Sequence, residues 1–433
     1  MKYIPLGIVL FFFTGCFIGP VGDLVEQVGD QYFTDEFSDV PSALTPIENT
    51  VSTKLLWESN IGNHNGSEFN LVILDEFIVA ATSDGTIKKL NIENGEQVWE
   101  KNISSSIVAG VGGNFENLLV VSGDGYLWCL NQNGDVIWKT FMPGEVFVSP
   151  VIYNSEVYVR IGNYEILQLD LKQGEIQWRF KKSVPSLTLR KTSRLSFSDN
   201  VIYAGFPAAK VIAIHAESGG YLWESKISKI KGVSEIERLN DVVSKLIINN
   251  SVIYSVSTNG NISSVDRING RVLWTSDLSS FNDLIFDGYD IFVINKVGTI
   301  HSLRKNNGKL NWKLTDLQHR RITNGSLIKD FLVVGDFDGY IHFIDIEQGV
   351  LKGRSQISGG VQILNNISTI NDTYMVSMDK EGNIFYFKIK EEKLLINNEN
   401  IEPEVLVDEV LIEKAKVSLV DMGDQVINYR YYN

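Results

Sequence analysis

The chain has 433 residues, 44% hydrophobic and 21% charged, a globular balance that excludes wholesale disorder. Its 36 glycines against 9 prolines exclude a collagen-like or proline-rich chain. A formal net charge of −14, from 39 Lys+Arg and 53 Asp+Glu, argues against nucleic-acid binding and against a basic face on anionic lipid.

Lys2 is a minimal positive start, Ile4 to Phe13 is almost wholly apolar, and Phe13-Thr14-Gly15-Cys16 follows. The run is too short to cross a hydrocarbon core of about 30 Å, so no spanning helix is expected. It resembles a bacterial lipoprotein signal peptide. That resemblance implies removal of residues 1–15, lipidation of Cys16 and, with Phe17 rather than Asp next, transfer to the outer membrane. The second of the two cysteines, Cys129, then has no disulfide partner, so stability must come from the core. Its place between Trp128 and Leu130 reads as a small buried side chain.

Residues 21–52 contain seven acidic side chains and no Lys or Arg. Residues 16–52 therefore read as a lipidated acidic tether.

A repeat begins next. Tryptophans fall at 57, 99, 138, 178, 223, 274 and 312, at intervals of 38 to 51 residues; only Trp128 lies off the mark. Before each mark after the first come a short β-rich run, a turn (Asp-Gly or Asn-Gly before Trp99, Trp138 and Trp274), a second run and a Gly turn, then the Trp run. Gly123-Asp124-Gly125 leading to Leu130, Gly134 and Trp138 is one copy. Asp-Gly and Asn-Gly favour tight hairpins because type I′ turns need positive φ. Four antiparallel strands in about forty residues is the period of a β-propeller blade.

The copy from Asp338-Gly339 has Gly353 where Trp is expected. The copy from Glu381-Gly382 lacks its outer strand, and Thr53-Lys54-Leu55-Leu56-Trp57 has the Trp pattern without preceding strands. The fold class is therefore all-β, an eight-bladed β-propeller over 53–390 with the N-terminal strand closing the last blade. The Trp rings are expected to fill the gaps between blades, with the gap at Gly353 filled in another way.

Two segments exceed the repeat, 183–190 (Ser-Val-Pro-Ser-Leu-Thr-Leu-Arg) and 232–242 (Gly-Val-Ser-Glu-Ile-Glu-Arg-Leu-Asn-Asp-Val). Each joins an outer strand to the inner strand of the next blade, so both lie on one face at adjacent blades. They bring together Leu187, Leu189, Arg190, Glu237, Arg238 and Asp241, an apolar pair with arginine and carboxylates that suits an interface hot spot. Two readings of Leu187 and Leu189 stand: an exposed interface pair, or the start of an inner strand facing the core. Arg190 and the loop proline favour an exposed turn.

The Leu169-Asp170…Gly174…Trp178 pattern resembles the tryptophan-docking motif of quinoprotein-type propellers, which include dehydrogenases using pyrroloquinoline quinone as well as non-enzymatic binding proteins. The five histidines (64, 215, 301, 319 and 342) are scattered, no pair has metal-ligand spacing, and no phosphate loop or nucleophile elbow appears. No catalytic residue, cofactor or metal is assigned. A quinone-dependent oxidoreductase and a scaffold of another envelope complex stand as alternatives.

With the lipoprotein signal and the two segments Pro-Ser-Leu-x-Leu-Arg and Glu-Ile-x-Arg-Leu-x-Asp-Val, the chain resembles the BamB family. These are lipoproteins of the machinery that folds β-barrels into the bacterial outer membrane. The resemblance implies a non-catalytic scaffold, lipid-anchored on the periplasmic face, whose partners are the POTRA domains of BamA and other assembly-complex subunits. It also implies contact with nascent outer-membrane proteins. Leu187, Leu189, Arg190 and Asp241 match family positions implicated in BamA contact, and a second family Asp position is Val243 here.

Residues 391–433 have no counterpart in the repeat and read as a C-terminal extension. The ring segment 53–390 carries 34 basic and 36 acidic residues. The acidity of the chain therefore belongs mostly to its two ends, and the partner surface must be local.

Overall fold

The computed structural model describes residues 40–62, 69–162, 164–229, 234–236 and 238–391. The signal segment, Cys16, the tether to residue 39, Glu237 and the extension from 392 lie outside the described residues. The described chain forms eight four-stranded antiparallel sheets. Blade one runs from Val72–Leu74 to Gln97–Asn102, and blades two to seven follow in chain order. Blade eight is made of Ile363–Ile370, Tyr374–Asp379 and Asn383–Glu391, and the strand Val51–Asn60 pairs with the last of these as its outer strand.

Core clusters sit between neighbouring blades. Leu119, Cys129 and Trp138 of blade two pack with Val157, Leu167 and Leu169 of blade three. Cys129 is buried, as its apolar setting in the sequence implies, and burial pushes its thiol up to about 12.

Seven repeat tryptophans dock on the following blade. Each indole Nε1 donates to a backbone carbonyl there: Trp57 to Ile92, Trp99 to Gln132, Trp138 to Leu171, Trp178 to Ala216, Trp223 to Arg267, Trp274 to Lys305 and Trp312 to Ile346, at 2.7 to 3.1 Å. The ring then lies flat over the turn glycine of that blade. A Cβ at Gly349 would stand 2.3 Å from the Trp312 ring, so the Gly of the Leu-Asp-x-x-x-Gly-x-x-x-Trp pattern is the floor of the dock. Satisfying the indole N–H lets the large ring be buried, contributing roughly 4–6 kcal/mol before entropy.

The eighth gap is filled by backbone. A Cβ at Gly353 would lie 2.0 Å from the Val51 carbonyl oxygen. Thr50 N donates to the Lys352 carbonyl at 2.8 Å, and Thr53 N donates to Ser355 Oγ at 3.0 Å. Glycine replaces tryptophan here because the incoming N-terminal strand occupies the space a ring would need.

From Ser42 on, residues of the segment expected as a tether (16–52) are bonded to the ring. Ser42 N donates to the Gln318 carbonyl at 3.0 Å, and Arg320 Nη1 and Arg354 Nη1 donate to the Ser42 and Thr45 carbonyls, each at 3.1 Å. Residues 42–50 thus lie strapped along blade seven. Beneath the strap, Asp336 accepts from Arg320 Nε at 2.8 Å and stands 2.9 Å from His342 Nε2. Backbone contacts and a buried charge network hold this segment, which its acidic composition alone does not reveal.

Candidate functional site

The crossover face of the ring, where each outer strand passes to the next inner strand, carries both unusual segments. The first links Ile176–Lys181 to Ser196–Ser198 and the second links Tyr221–Lys226 to Ile247–Asn249. Neither Leu187 nor Leu189 starts a strand; the loop runs on to Ser196. Leu187 is 42% exposed, Leu189 is half-buried, and Ile236 and Arg238 are exposed on the neighbouring loop. The reading in which both leucines face the core is therefore corrected: a loop with no ladder to join leaves Leu187 outward.

Asp241 brings the loops together from below. It is 3% exposed, and its Oδ2 accepts the Leu189 N–H at 2.8 Å while Oδ1 accepts the Ala208 N–H at 3.2 Å. Its own N–H donates to Thr258 Oγ1 at 3.0 Å. Burial raises its carboxyl above the usual range and the two N–H donors oppose that shift. Asp241 is thus corrected from a surface contact to a brace: it offers a partner no carboxylate surface and acts by holding Leu189. Tyr164 supports the same residue, donating its hydroxyl to the Leu189 carbonyl at 3.0 Å. Val243, at the second family Asp position, is buried.

Arg190 does not pair within the two loops. Both oxygens of Glu145 accept from its Nη2 at 2.9 Å, and its guanidinium lies 5.7 Å from the Phe147 ring centre. Both residues belong to the loop after blade two, so the surface spans three loops rather than two. The pair is exposed, and such a pair adds little stability while fixing where the charges stand. Glu237 lies outside the described residues.

Arg160 lies beneath this surface and was not singled out in the sequence. It is 1% exposed; Nη1 donates to Ser193 Oγ at 3.1 Å, Nη2 bonds the Gly205 carbonyl, and the guanidinium stacks 4.5 Å from Phe206. Burial lowers it to about 10. The signal available was a charged residue inside the middle-strand run Val157-Tyr158-Val159-Arg160-Ile161, where both faces are covered. Glu145 carried no such signal, since nothing local links it to Arg190. Among the described residues, no group of three His, Cys, Asp or Glu side chains could hold a metal ion.

Residues 83–314 match the family model described as outer membrane protein assembly factor BamB. The chain belongs to the BamB family. BamB of Shewanella oneidensis is 30% identical over 333 residues, covering 73% of this chain and 84% of that protein. BamB of Bordetella pertussis is 28% identical, covering 76% and 86%. The crystal structure of BamB from Moraxella catarrhalis matches the fold with a TM-score of 0.71 at 20% identity, covering 78% of this chain and all of that one. A quinohemoprotein alcohol dehydrogenase from Comamonas testosteroni matches with a TM-score of 0.64 at 12% identity, over 78% of this chain and 76% of that one. The dehydrogenase shares the propeller alone, whereas the BamB relatives share the sequence.

Proposed function

We propose that this chain is a non-catalytic scaffold of the outer-membrane protein assembly complex, held at the periplasmic face by a lipid on Cys16. In this reading the three-loop surface docks on the POTRA domains of BamA. Leu187 supplies the apolar contact, and Arg190 and Arg238 the polar ones. Leu189 and Asp241 set the height and angle of the loop. Membership of a family named for outer membrane protein assembly supports the general role. The Asp241–Leu189 bond carries the site assignment, because it spends a buried carboxylate on shaping one exposed loop. Such investment suits a hot spot presented on a rigid support.

The mechanism is positional: the ring holds partner domains near the membrane, and outer blade strands with one free edge can add a nascent strand by backbone pairing. Co-purification from detergent-solubilised envelope tests the assignment. BamA should copurify with the native chain and be lost with Leu187→Asp plus Arg190→Glu. Retention of BamA by a folded double variant would place the contact elsewhere.

A further inference from the structure

Arg160 stands in the strand Glu156–Ile161 of blade three, 1% exposed, beneath the two unusual loops. Among the described residues no carboxylate pairs with it, and its Nε has no hydrogen-bond partner. A guanidinium taken out of water without a counter-charge costs folding free energy that an apolar side chain of similar length does not. Core packing alone therefore gives no reason for arginine at this position.

The two hydrogen bonds it makes give one. Nη1 donates to Ser193 Oγ at 3.1 Å, and Ser193 belongs to the first loop connection. Nη2 bonds the carbonyl of Gly205, in the strand Val201–Phe206 of blade four. The Gly205 N–H donates to the same Ser193 Oγ at 2.9 Å, closing a triangle of Arg160, Ser193 and Gly205. The second loop rests on the same glycine. A Cβ at Gly205 would stand 2.5 Å from the Val242 carbonyl oxygen, and Val242 N donates to the Phe206 carbonyl at 3.1 Å. Val242 follows Asp241, which accepts the Leu189 N–H. A shift at Gly205 is thus felt at both Ser193 and Leu189 of the first loop.

We propose that Arg160 is a positioning residue for the docking surface: one buried guanidinium bridges Ser193 and Gly205, so that both loops keep a fixed register on blade four. The proposal rests on the reading of the three-loop surface as a partner site. Lysine cannot replace it, because an ammonium is a point charge where the guanidinium offers a planar fork. A buried charge kept for geometry and not for stability should let the two be separated by substitution.

Arg160→Met makes the separation. Methionine fills the same space against the Phe206 ring, whose centre lies 4.5 Å from the guanidinium, and the Gly205 carbonyl keeps the Ser193 hydroxyl at 3.3 Å. The urea midpoint of the full-length variant should stay at or above the native value. Amide exchange at Leu189, Gly205 and Val242 should nevertheless rise about tenfold or more, the equivalent of one lost hydrogen bond to a charged group. The strand Asp290–Ile294 of blade six should stay protected, and capture of BamA should fall severalfold. Native exchange at the three amides, loss of protection in every blade, or raised exchange with undiminished capture would each overturn the proposal. If methionine prevents folding, Arg160→Lys decides: it keeps the charge without the fork, and native exchange in that variant overturns the proposal. A native chain that captures no BamA overturns the partner reading instead, and exchange at Leu189, Gly205 and Val242 still judges Arg160.

Discussion

The Asp241 carboxylate accepts the Leu189 N–H at 2.8 Å across 52 residues of sequence, joining the loops of two neighbouring blades. It makes loop geometry at the candidate site depend on a residue that is itself buried. Asp241→Ala leaves the Leu189 and Ala208 N–H groups unsatisfied in a buried setting, at about 1–3 kcal/mol each. Amide exchange at Leu189 should rise and BamA capture should fall while the other blades stay protected. Asp241→Asn, which keeps one acceptor, should fall between. Unchanged exchange at Leu189 in the alanine variant would remove the brace.

Arg190→Ala should separate binding from stability. Its ion pair with Glu145 is exposed on both sides. Removing it should alter unfolding free energy by less than about 0.5 kcal/mol. Capture of BamA should weaken at least severalfold. A variant that loses both equally would mark Arg190 as a structural residue.

The tryptophan docks predict a steric hierarchy. Gly349 has φ of +69° and no room beneath the Trp312 ring, whereas Gly288 has φ of +100° with no heavy atom within 4 Å of an added Cβ. Gly288→Ala should cost about 1 kcal/mol for backbone strain alone. Gly349→Ala adds overpacking and should cost about 2–4 kcal/mol in all. Urea midpoints of the two variants give the comparison. Equal losses would mean that the ring can slide away from the glycine.

Gly353→Ala should act on closure. The Cβ it introduces meets the Val51 carbonyl, so strand Val51–Asn60 must shift or leave. Protease cleavage in residues 40–60 should increase, and a dimer that exchanges this strand should appear on size exclusion, since a released edge strand seeks a new partner.

The buried network under the strap gives a pH dependence with a definite sign. Burial is the largest influence on His342 and lowers its pKa from 6.5; Asp336 partly opposes this, while Arg354 and Arg320 add to the lowering. Arg354 Nε donates to His342 Nδ1 at 3.3 Å, which fits a neutral ring whose Nε2–H faces Asp336. The unfolded chain takes up a proton near 6.5 that the folded chain refuses. Stability from this group is therefore complete above 6.5 and is lost as pH falls toward the lower folded value. Urea midpoints should drop between about pH 7 and 5, and His342→Gln should flatten that part of the profile. A slope that persists in the variant would assign it to other groups.

Much of the fold was legible because its causes are local and repeated. Asp-Gly turns set hairpins, alternating apolar runs set strands, and a tryptophan every forty residues marked the gap between sheets. The number of blades and the closing strand followed from counting those marks. The candidate loops stood out for the same reason, as insertions that break the period.

What the loops do with their residues was decided only in three dimensions. Asp241 and Arg190 look alike in sequence, as charged residues of exposed segments. Folding buries one beneath Leu189 and turns the other toward Glu145, 45 residues away. Gly353 reads as a missing tryptophan until Val51 arrives from 302 residues earlier in the chain to take its place. Residues 42–50 read as tether until Arg320 and Arg354 bind their carbonyls. In each case the partner lies too far along the chain for any local pattern to name it. The sequence by itself determined a closed eight-bladed ring with a near-neutral body and acidic ends. Only the tertiary structure decided which charges are buried as braces and which stay exposed, because desolvation and hydrogen-bond pairing depend on what folding brings alongside.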